Sequence, residues 1–102
     1  MEMETIDREY KETFGDSVLK AICAMANTKG GEVIVGVADS GEVKGIEIDN
    51  KGLEKISQKI ADKLGLHPQI EVKEKNGKKI IVITIQRSNV PISFNGRYYE
   101  KN

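Results

Sequence analysis

The spacing of apolar and polar residues divides the first half of the chain into one helix and two strands. Apolar side chains recur at helical spacing over residues 17–26, which predicts a helix with Asp16 as its N-cap. Residues 32–38 form a β-branched, apolar run, which is typical of a buried strand. A tight turn follows, so we expect residues 42–48 to return as the second strand of a hairpin.

A second helix follows this predicted hairpin. Apolar residues over 53–64 form a stripe at helical spacing, with lysines on the opposite side. Asp49 or Asn50 can cap its beginning, and Gly65 can end it.

The rest of the chain predicts two further hairpins. An Asn-Gly pair, the strongest short hairpin signal, joins predicted strands at 70–75 and 78–86. Another Asn-Gly pair joins residues 92–94 to 97–101. The sequence therefore predicts a single α+β domain over residues 1–102, with two helices and a mostly antiparallel sheet.

Composition narrows the classes of protein. The 102 residues are 38% hydrophobic and 31% charged, which fits one small ordered domain. No apolar run approaches the roughly 20 residues of a membrane helix. The acidic N-terminus does not resemble a signal peptide, and Cys23 is the only cysteine, so we expect a cytoplasmic protein without a membrane partner.

The net charge is zero, which gives no global support for nucleic-acid binding. Charge is nevertheless unevenly distributed. Residues 1–16 contain six acidic and two basic side chains, whereas residues 51–102 contain eleven basic and five acidic ones. This distribution fits an acidic metal site beside a phosphate-binding surface, and it equally fits chance clustering in a short chain.

The turn at residues 27–31, Asn-Thr-Lys-Gly-Gly, is the most informative segment. It follows the first predicted helix and precedes a buried strand. Its composition predicts free backbone N–H groups that suit a phosphate or another anion. It lies at a helix C-terminus, however, where the helix dipole is negative.

This turn belongs to a longer pattern. Upstream lies a Glu-x4-Glu-aromatic-Lys phrase from Glu4 to Lys11, and downstream lies Val-Gly-Val-Ala-Asp, ending at Asp39. Together with a closing Gly-Arg-Tyr-Tyr segment at 96–99, the pattern resembles the Schlafen AlbA-type domain family over nearly the whole chain. The chain departs from the family's usual closing segment at Glu100 and Lys101.

The resemblance implies a function. Family members bind nucleic acid, and animal Schlafens include endoribonucleases that cut structured RNA such as tRNA. Their site is described as three carboxylates, which here correspond to Glu4, Glu9 and Asp39. These acids are the implied catalytic residues and the implied ligands of Mg²⁺ or Mn²⁺, hard cations that prefer oxygen ligands.

Residue spacing alone does not establish that these three acids lie together. Residues five apart lie on opposite faces of a regular strand, so Glu4 and Glu9 converge only if the chain between them bends. Asp39 is also a common residue in a turn of this kind.

Several basic, polar and aromatic residues are candidate contacts to nucleic acid. The full set is Lys11, Thr28, Lys29, Arg87, Arg97, Tyr98 and Lys101. Thr28 and Lys29 can equally belong only to the turn that ends the helix. If residues 97–101 form a strand, only one of Tyr98 and Tyr99 can face solvent and stack on a base.

The preferred hypothesis is a metal-dependent endoribonuclease domain that binds RNA, with DNA as a possible ligand. Because the family's nuclease cores pair two such lobes, we expect a homodimer. The alternatives are a non-catalytic DNA- or RNA-binding module of a transcriptional regulator, and an interaction domain that preserves only the fold.

Overall fold

The computed structural model describes residues 7–101, and this part of the chain contains two helices and one four-stranded sheet. The elements are, in chain order, β1 (Arg8–Lys11), α1 (Asp16–Ala26), β2 (Gly31–Val35), α2 (Asn50–Leu64), β3 (Gln69–Lys75) and β4 (Lys78–Ile85). The strand order is β1-β2-β4-β3, and β1–β2 is the parallel pairing whereas the other two are antiparallel. The predicted α+β fold with two helices and a mostly antiparallel sheet is confirmed.

The main core lies between the two helices and one face of the sheet. Its largest fully buried side chains come from both helices, the central strand β4 and the end of the chain: Leu19, Ile22, Met25, Ile60, Ile81, Ile83 and Phe94. Neither helix in residues 7–101 is long and apolar enough to cross a bilayer.

The ends of α2 agree with the sequence prediction, and the beginning of α1 does not. The Asp49 carboxylate accepts a hydrogen bond of 2.7 Å from the Gly52 N–H, and Gly65 ends the helix with a φ of 69°. The N-cap of α1 is Gly15, which has no side chain to cap with, so the prediction of Asp16 as N-cap is wrong by one residue. Asp16 instead lies in the first turn, where a carboxylate still interacts favourably with the helix dipole.

The β3–β4 hairpin forms as predicted. Lys75 pairs with Lys78, and the connecting Asn76 and Gly77 have φ values of 54° and 74°. Two successive positive φ values are what a two-residue hairpin turn requires, and Asn-Gly supplies them at low cost.

The predicted 32–48 hairpin is wrong for its strands and forms only near its turn, where the Ala38 N–H donates to the Glu42 carbonyl at 2.9 Å and the Lys44 N–H to the Gly36 carbonyl at 2.8 Å. Strand β2 ends at Val35 because Gly36, with a φ of 104°, turns the chain out of the sheet. Strand β4 then occupies the antiparallel position beside β2, and only an isolated bridge joins Val37 to Val43. Both valines pack against the sheet face that points away from the helices.

The predicted hairpin at the end of the chain is reduced to its turn. Asn95 and Gly96 have the expected positive φ values of 51° and 78°, but Phe94 and Arg97 form only an isolated bridge. Residues 97–101 are not a strand. We call residues 90–101 the C-terminal segment.

Candidate nucleic-acid interface

Asn27, the residue after α1, fastens the C-terminal segment to the domain. Its side-chain N–H groups donate to the carbonyls of Ile92 and Tyr99 at 2.7 and 2.9 Å, and its Oδ1 accepts from the Ile92 N–H at 2.7 Å. The buried thiol of Cys23 also donates to the Ile92 carbonyl, at 3.2 Å. One amide therefore positions two separate points of the segment, including Tyr99, whose ring packs against the main core.

The glycine-rich turn at residues 27–31 does not form an open anion cradle. The backbone N–H groups of Asn27, Thr28 and Gly30 donate to carbonyls in the last turns of α1, at 2.7–3.1 Å. The Thr28 hydroxyl donates to the Ala24 carbonyl at 2.9 Å. The prediction of free backbone donors is therefore wrong for Asn27, Thr28 and Gly30, because the end of the helix uses these three N–H groups itself.

A groove lies between the residues that follow the end of β4 and the C-terminal segment. It encloses about 470 Å³ and is lined by Asn27, Arg87, Ser88, Asn89, Val90, Pro91, Tyr98 and Glu100. Tyr98 and Val90 are unusually exposed for large apolar side chains, at 67% and 63%. Tyr98 is exposed while Tyr99 is half-buried, although residues 97–101 do not form the strand on which the prediction of one inward tyrosine depended.

A second group of charges lies at strand β1. The two carboxylate oxygens of Glu9 are engaged by two ammonium groups, Lys101 at 2.8 Å and Lys11 at 3.1 Å. Lys101 also lies 3.8 Å from Asp7. Burial acts to raise the pKa of Glu9, but the hydrogen bonds and charges of Lys101 and Lys11 together outweigh it, so this pKa lies below its ordinary value.

The sequence model of the family described as "Schlafen, AlbA_2" matches residues 4–102. The chain belongs to the Schlafen AlbA_2 family. The resemblance drawn from the Glu-x4-Glu, Asn-Thr-Lys-Gly-Gly and closing segments is thereby confirmed.

Two solved structures share the fold of this Schlafen AlbA_2 domain. The DIP2311 protein from Corynebacterium diphtheriae is 24% identical with a TM-score of 0.76, over 85% of this chain and 19% of that one. The N-terminal domain of a protein related to the ATP-dependent DNA helicase RecG, from Nitrosomonas europaea, is 21% identical with a TM-score of 0.70, over 97% and 80%. The Schlafen AlbA_2 chain thus spans about a fifth of the first of these proteins and most of the second domain.

The structure of the Schlafen AlbA_2 domain distributes the predicted contact residues over several places. Arg87 and Tyr98 line the groove together, whereas Lys11 and Lys101 pair with Glu9 at β1. The other predicted contacts lie outside the groove: Thr28, Lys29 and Arg97. Asn27, which the sequence analysis left out of the contact set, lines the groove and holds one of its walls.

Only two of the three predicted catalytic acids, Glu9 and Asp39, lie within the described residues. Glu4 lies outside the described residues, so nothing is stated of its position. Asp39 is exposed and lines a shallow depression with Lys11 and the beginning of α1. Within residues 7–101 no three acidic, histidine or cysteine side chains are grouped to hold a metal, and the cations at Glu9 are ammonium groups. Because Glu4 lies outside residues 7–101, the three-carboxylate site for Mg²⁺ or Mn²⁺ stays a prediction.

The Glu9–Lys101 contact predicts an acid-dependent loss of stability. A carboxylate with a lowered folded-state pKa stabilises the fold above its ordinary pKa of 4.5, and this contribution disappears as the pH falls through the folded-state value. We expect Glu9→Gln to cost about 1 kcal/mol of unfolding free energy at pH 7 and much less near pH 3. Urea unfolding of both proteins across this pH range measures the difference.

Glu42→Gln is the matched control for this pH series. Glu42 pairs with Lys44 at 3.2 Å, but its side chain is 64% exposed compared with 28% for Glu9. Its replacement should change stability little at any pH. A Glu9→Gln cost that stays constant from pH 7 to pH 3 would contradict the assignment.

Proposed function

We propose that this domain binds nucleic acid, preferably RNA, with the groove between the end of β4 and the C-terminal segment. The proposal depends on one observation. A cationic side chain, Arg87, and an exposed aromatic side chain, Tyr98, line the same groove. Family membership supports nucleic-acid binding independently of this geometry. The helicase-related name of one structural neighbour points to the same class of ligand without distinguishing RNA from DNA.

The lining chemistry suits an unpaired nucleotide better than a duplex backbone. A guanidinium such as that of Arg87 pairs with phosphate, and a solvent-facing ring such as that of Tyr98 stacks on a base. Glu100 places a carboxylate on the same groove, which disfavours a second phosphate but can accept a hydrogen bond from a base amino group. Recognition by stacking and base-edge contacts is characteristic of single-stranded RNA.

The zero net charge affects how strongly the domain should bind nucleic acid. Nonspecific electrostatic attraction is small for a chain with equal numbers of basic and acidic groups. Binding should therefore depend on few contacts, so the removal of one should be clearly measurable.

Fluorescence anisotropy with a labelled single-stranded RNA tests the groove. We expect Tyr98→Ala and Arg87→Gln each to weaken binding about tenfold, since a stacked base contributes about 1–3 kcal/mol. Arg87→Gln should also reduce the slope of log K against log salt concentration by about 0.7. Transfer RNA and duplex DNA are compared as competitors.

Lys55→Gln on the exposed side of α2 is the matched control, because it removes one positive charge away from the groove. It should leave affinity nearly unchanged. Equal weakening by Lys55→Gln and Arg87→Gln, with no effect of Tyr98→Ala, would indicate attraction to net charge and contradict a groove site.

Metal-dependent cleavage of structured RNA by Glu4, Glu9 and Asp39 is the second candidate function. Its supporting observation is that Lys11 contacts Glu9 and also lines the depression that contains Asp39. In this proposal Glu4, Glu9 and Asp39 would hold Mg²⁺ or Mn²⁺ in place of the ammonium groups that contact Glu9, and the metal would polarise a phosphoryl oxygen and lower the pKa of a bound water. The competing possibility is a binding module without catalysis.

A cleavage assay on the RNA used for anisotropy distinguishes a nuclease from a binding module without catalysis. Transfer RNA is incubated with Mn²⁺ or with a chelator, using the unaltered protein, Glu9→Gln and Asp39→Asn. Cleavage that needs Mn²⁺ and disappears in both variants, while RNA binding persists, supports the enzyme. Binding without cleavage in every sample rejects the catalytic proposal and leaves the groove proposal intact.

A further inference from the structure

Within residues 7–101, strand β3 is an open edge of the sheet. It pairs with β4 on one side, and it is the last strand in the order β1-β2-β4-β3. All of its seven residues are exposed except Ile70, and Val72 at its centre is 38% exposed. An edge of this length presents unpaired backbone groups that can pair with another strand.

The other edge strand is shorter and has a charged neighbour. Strand β1 has four residues, and Lys101 of the C-terminal segment lies against its Glu9. The open edge for pairing is therefore β3.

The sequence of β3 is complementary to itself. We propose that β3 binds β3 of a second copy of this chain in antiparallel register centred on Val72. In that register Glu71 of each chain lies directly opposite Lys73 of the other, twice by symmetry, and the two Val72 side chains face each other. Opposite charges and apolar residues in directly opposed positions stabilise antiparallel pairs.

The neighbouring registers place like charges together. Centring the pairing on Glu71 brings the two copies of this carboxylate opposite each other. Centring it on Lys73 brings two ammonium groups together, although it also places Glu71 opposite Lys75 twice. The Val72 register has the Glu71–Lys73 pairs and no like charges opposite each other, so the charge pattern favours it.

The two charged residues also lie on a common face of the sheet. Glu71 pairs with Val82 of β4 and Lys73 pairs with Ile80, and both of these partners belong to the small core on the side away from the helices. Val72 pairs with Ile81 of the main core and so lies on the helix side. The paired copies would form one continuous sheet with all helices on the same side, and the zero net charge means that no overall repulsion opposes it.

Variants that reverse the charges of β3 test the proposal. Their self-association is measured by sedimentation equilibrium over a range of protein concentrations. We expect the unaltered protein to dimerise, and Glu71→Lys or Lys73→Glu alone to weaken self-association about tenfold or more. The double variant Glu71→Lys/Lys73→Glu should restore it. A mixture of the two single variants should form a heterodimer, since their strands carry opposite charges at both positions.

Two variants outside the sheet edge match these changes in net charge. Glu12→Lys and Lys55→Glu are exposed and lie outside β3, so they should leave dimerisation unchanged. A protein that stays monomeric at high concentration overturns the proposal. Dimerisation that resists both single β3 variants also overturns it, because the interface would then lie elsewhere. Neither result bears on nucleic-acid binding, which the groove variants test separately.

Discussion

Replacing Gly30 with alanine should destabilise the domain by about 3 kcal/mol or more. A Cβ at this position would lie 2.5 Å from the Ile85 carbonyl oxygen and 3.1 Å from the Arg87 nitrogen. Both are backbone atoms, so neither can swing aside as a flexible side chain would. The φ of 77° adds a conformational cost for any residue with a Cβ.

Gly77→Ala separates the steric cost of the added Cβ from the conformational cost of a positive φ. Gly77 has a nearly equal φ of 74°, but a Cβ there would meet nothing within 4 Å. This variant should lose only the conformational part, about 1 kcal/mol. Urea unfolding of the two variants measures the difference, and equal losses would show that the close approach of Gly30 to the end of β4 is unimportant.

Gly30→Ala should also affect the groove. The atoms that its Cβ would displace belong to Ile85 and Arg87, and the Ser88 N–H next to them donates to the Ala26 carbonyl at 2.8 Å. A shift of this backbone moves one wall of the groove. We therefore expect RNA affinity to fall in Gly30→Ala and to remain in Gly77→Ala, when both are measured under conditions in which they are folded.

Asn27→Ala should cost about 2–4 kcal/mol of unfolding free energy, because it removes three hydrogen bonds to the backbone at a half-buried site. The Ile92 N–H and the Tyr99 carbonyl lose their Asn27 partner, and the Ile92 carbonyl keeps only the weaker Cys23 thiol donor. The loss should also release the C-terminal segment, since the same amide holds it at two points. Limited proteolysis should then cut within residues 90–101 well before the rest of the domain.

Two further variants test the role of this amide. Asn27→Asp retains an oxygen for the Ile92 N–H but cannot donate to the two carbonyls, so it should remain strongly destabilised. Asn89→Ala removes an exposed amide from the same groove and should change stability by less than about 0.5 kcal/mol. If Asn27→Ala and Asn89→Ala have the same stability and the same proteolysis pattern, Asn27 does not fasten the segment.

Local sequence signals predicted the elements that local geometry determines. The Asn-Gly pair before Lys78 needs only two positive φ values, and Asp49 needs only a nearby N–H group. The 32–48 hairpin was wrong for a nonlocal reason. Strand β4, more than 40 residues later, pairs with β2 and takes the position that residues 42–48 were expected to fill. The spacing of apolar residues along the chain does not show which strand will pair with β2.

The site was predictable only in part. Arg87 and Tyr98 were selected by residue type, and their shared groove depends on how the C-terminal segment folds back, which spacing does not reveal. Asn27 was missed because its role is to satisfy distant backbone groups. Its position directly after the helix and before Gly30 was the available signal, but it was interpreted as part of an anion-binding turn.

Nuclear magnetic resonance most directly tests the claim that the groove binds nucleic acid. The ¹⁵N-labelled domain is titrated with a short single-stranded RNA, and backbone amide shifts are followed. The groove proposal predicts that the largest changes cluster at Arg87, Ser88, Asn89, Val90 and Tyr98, and that Tyr98→Ala needs about tenfold more RNA to reach saturation. Saturable binding with its largest changes on α2 or at the β3 edge, and none at these residues, would contradict it.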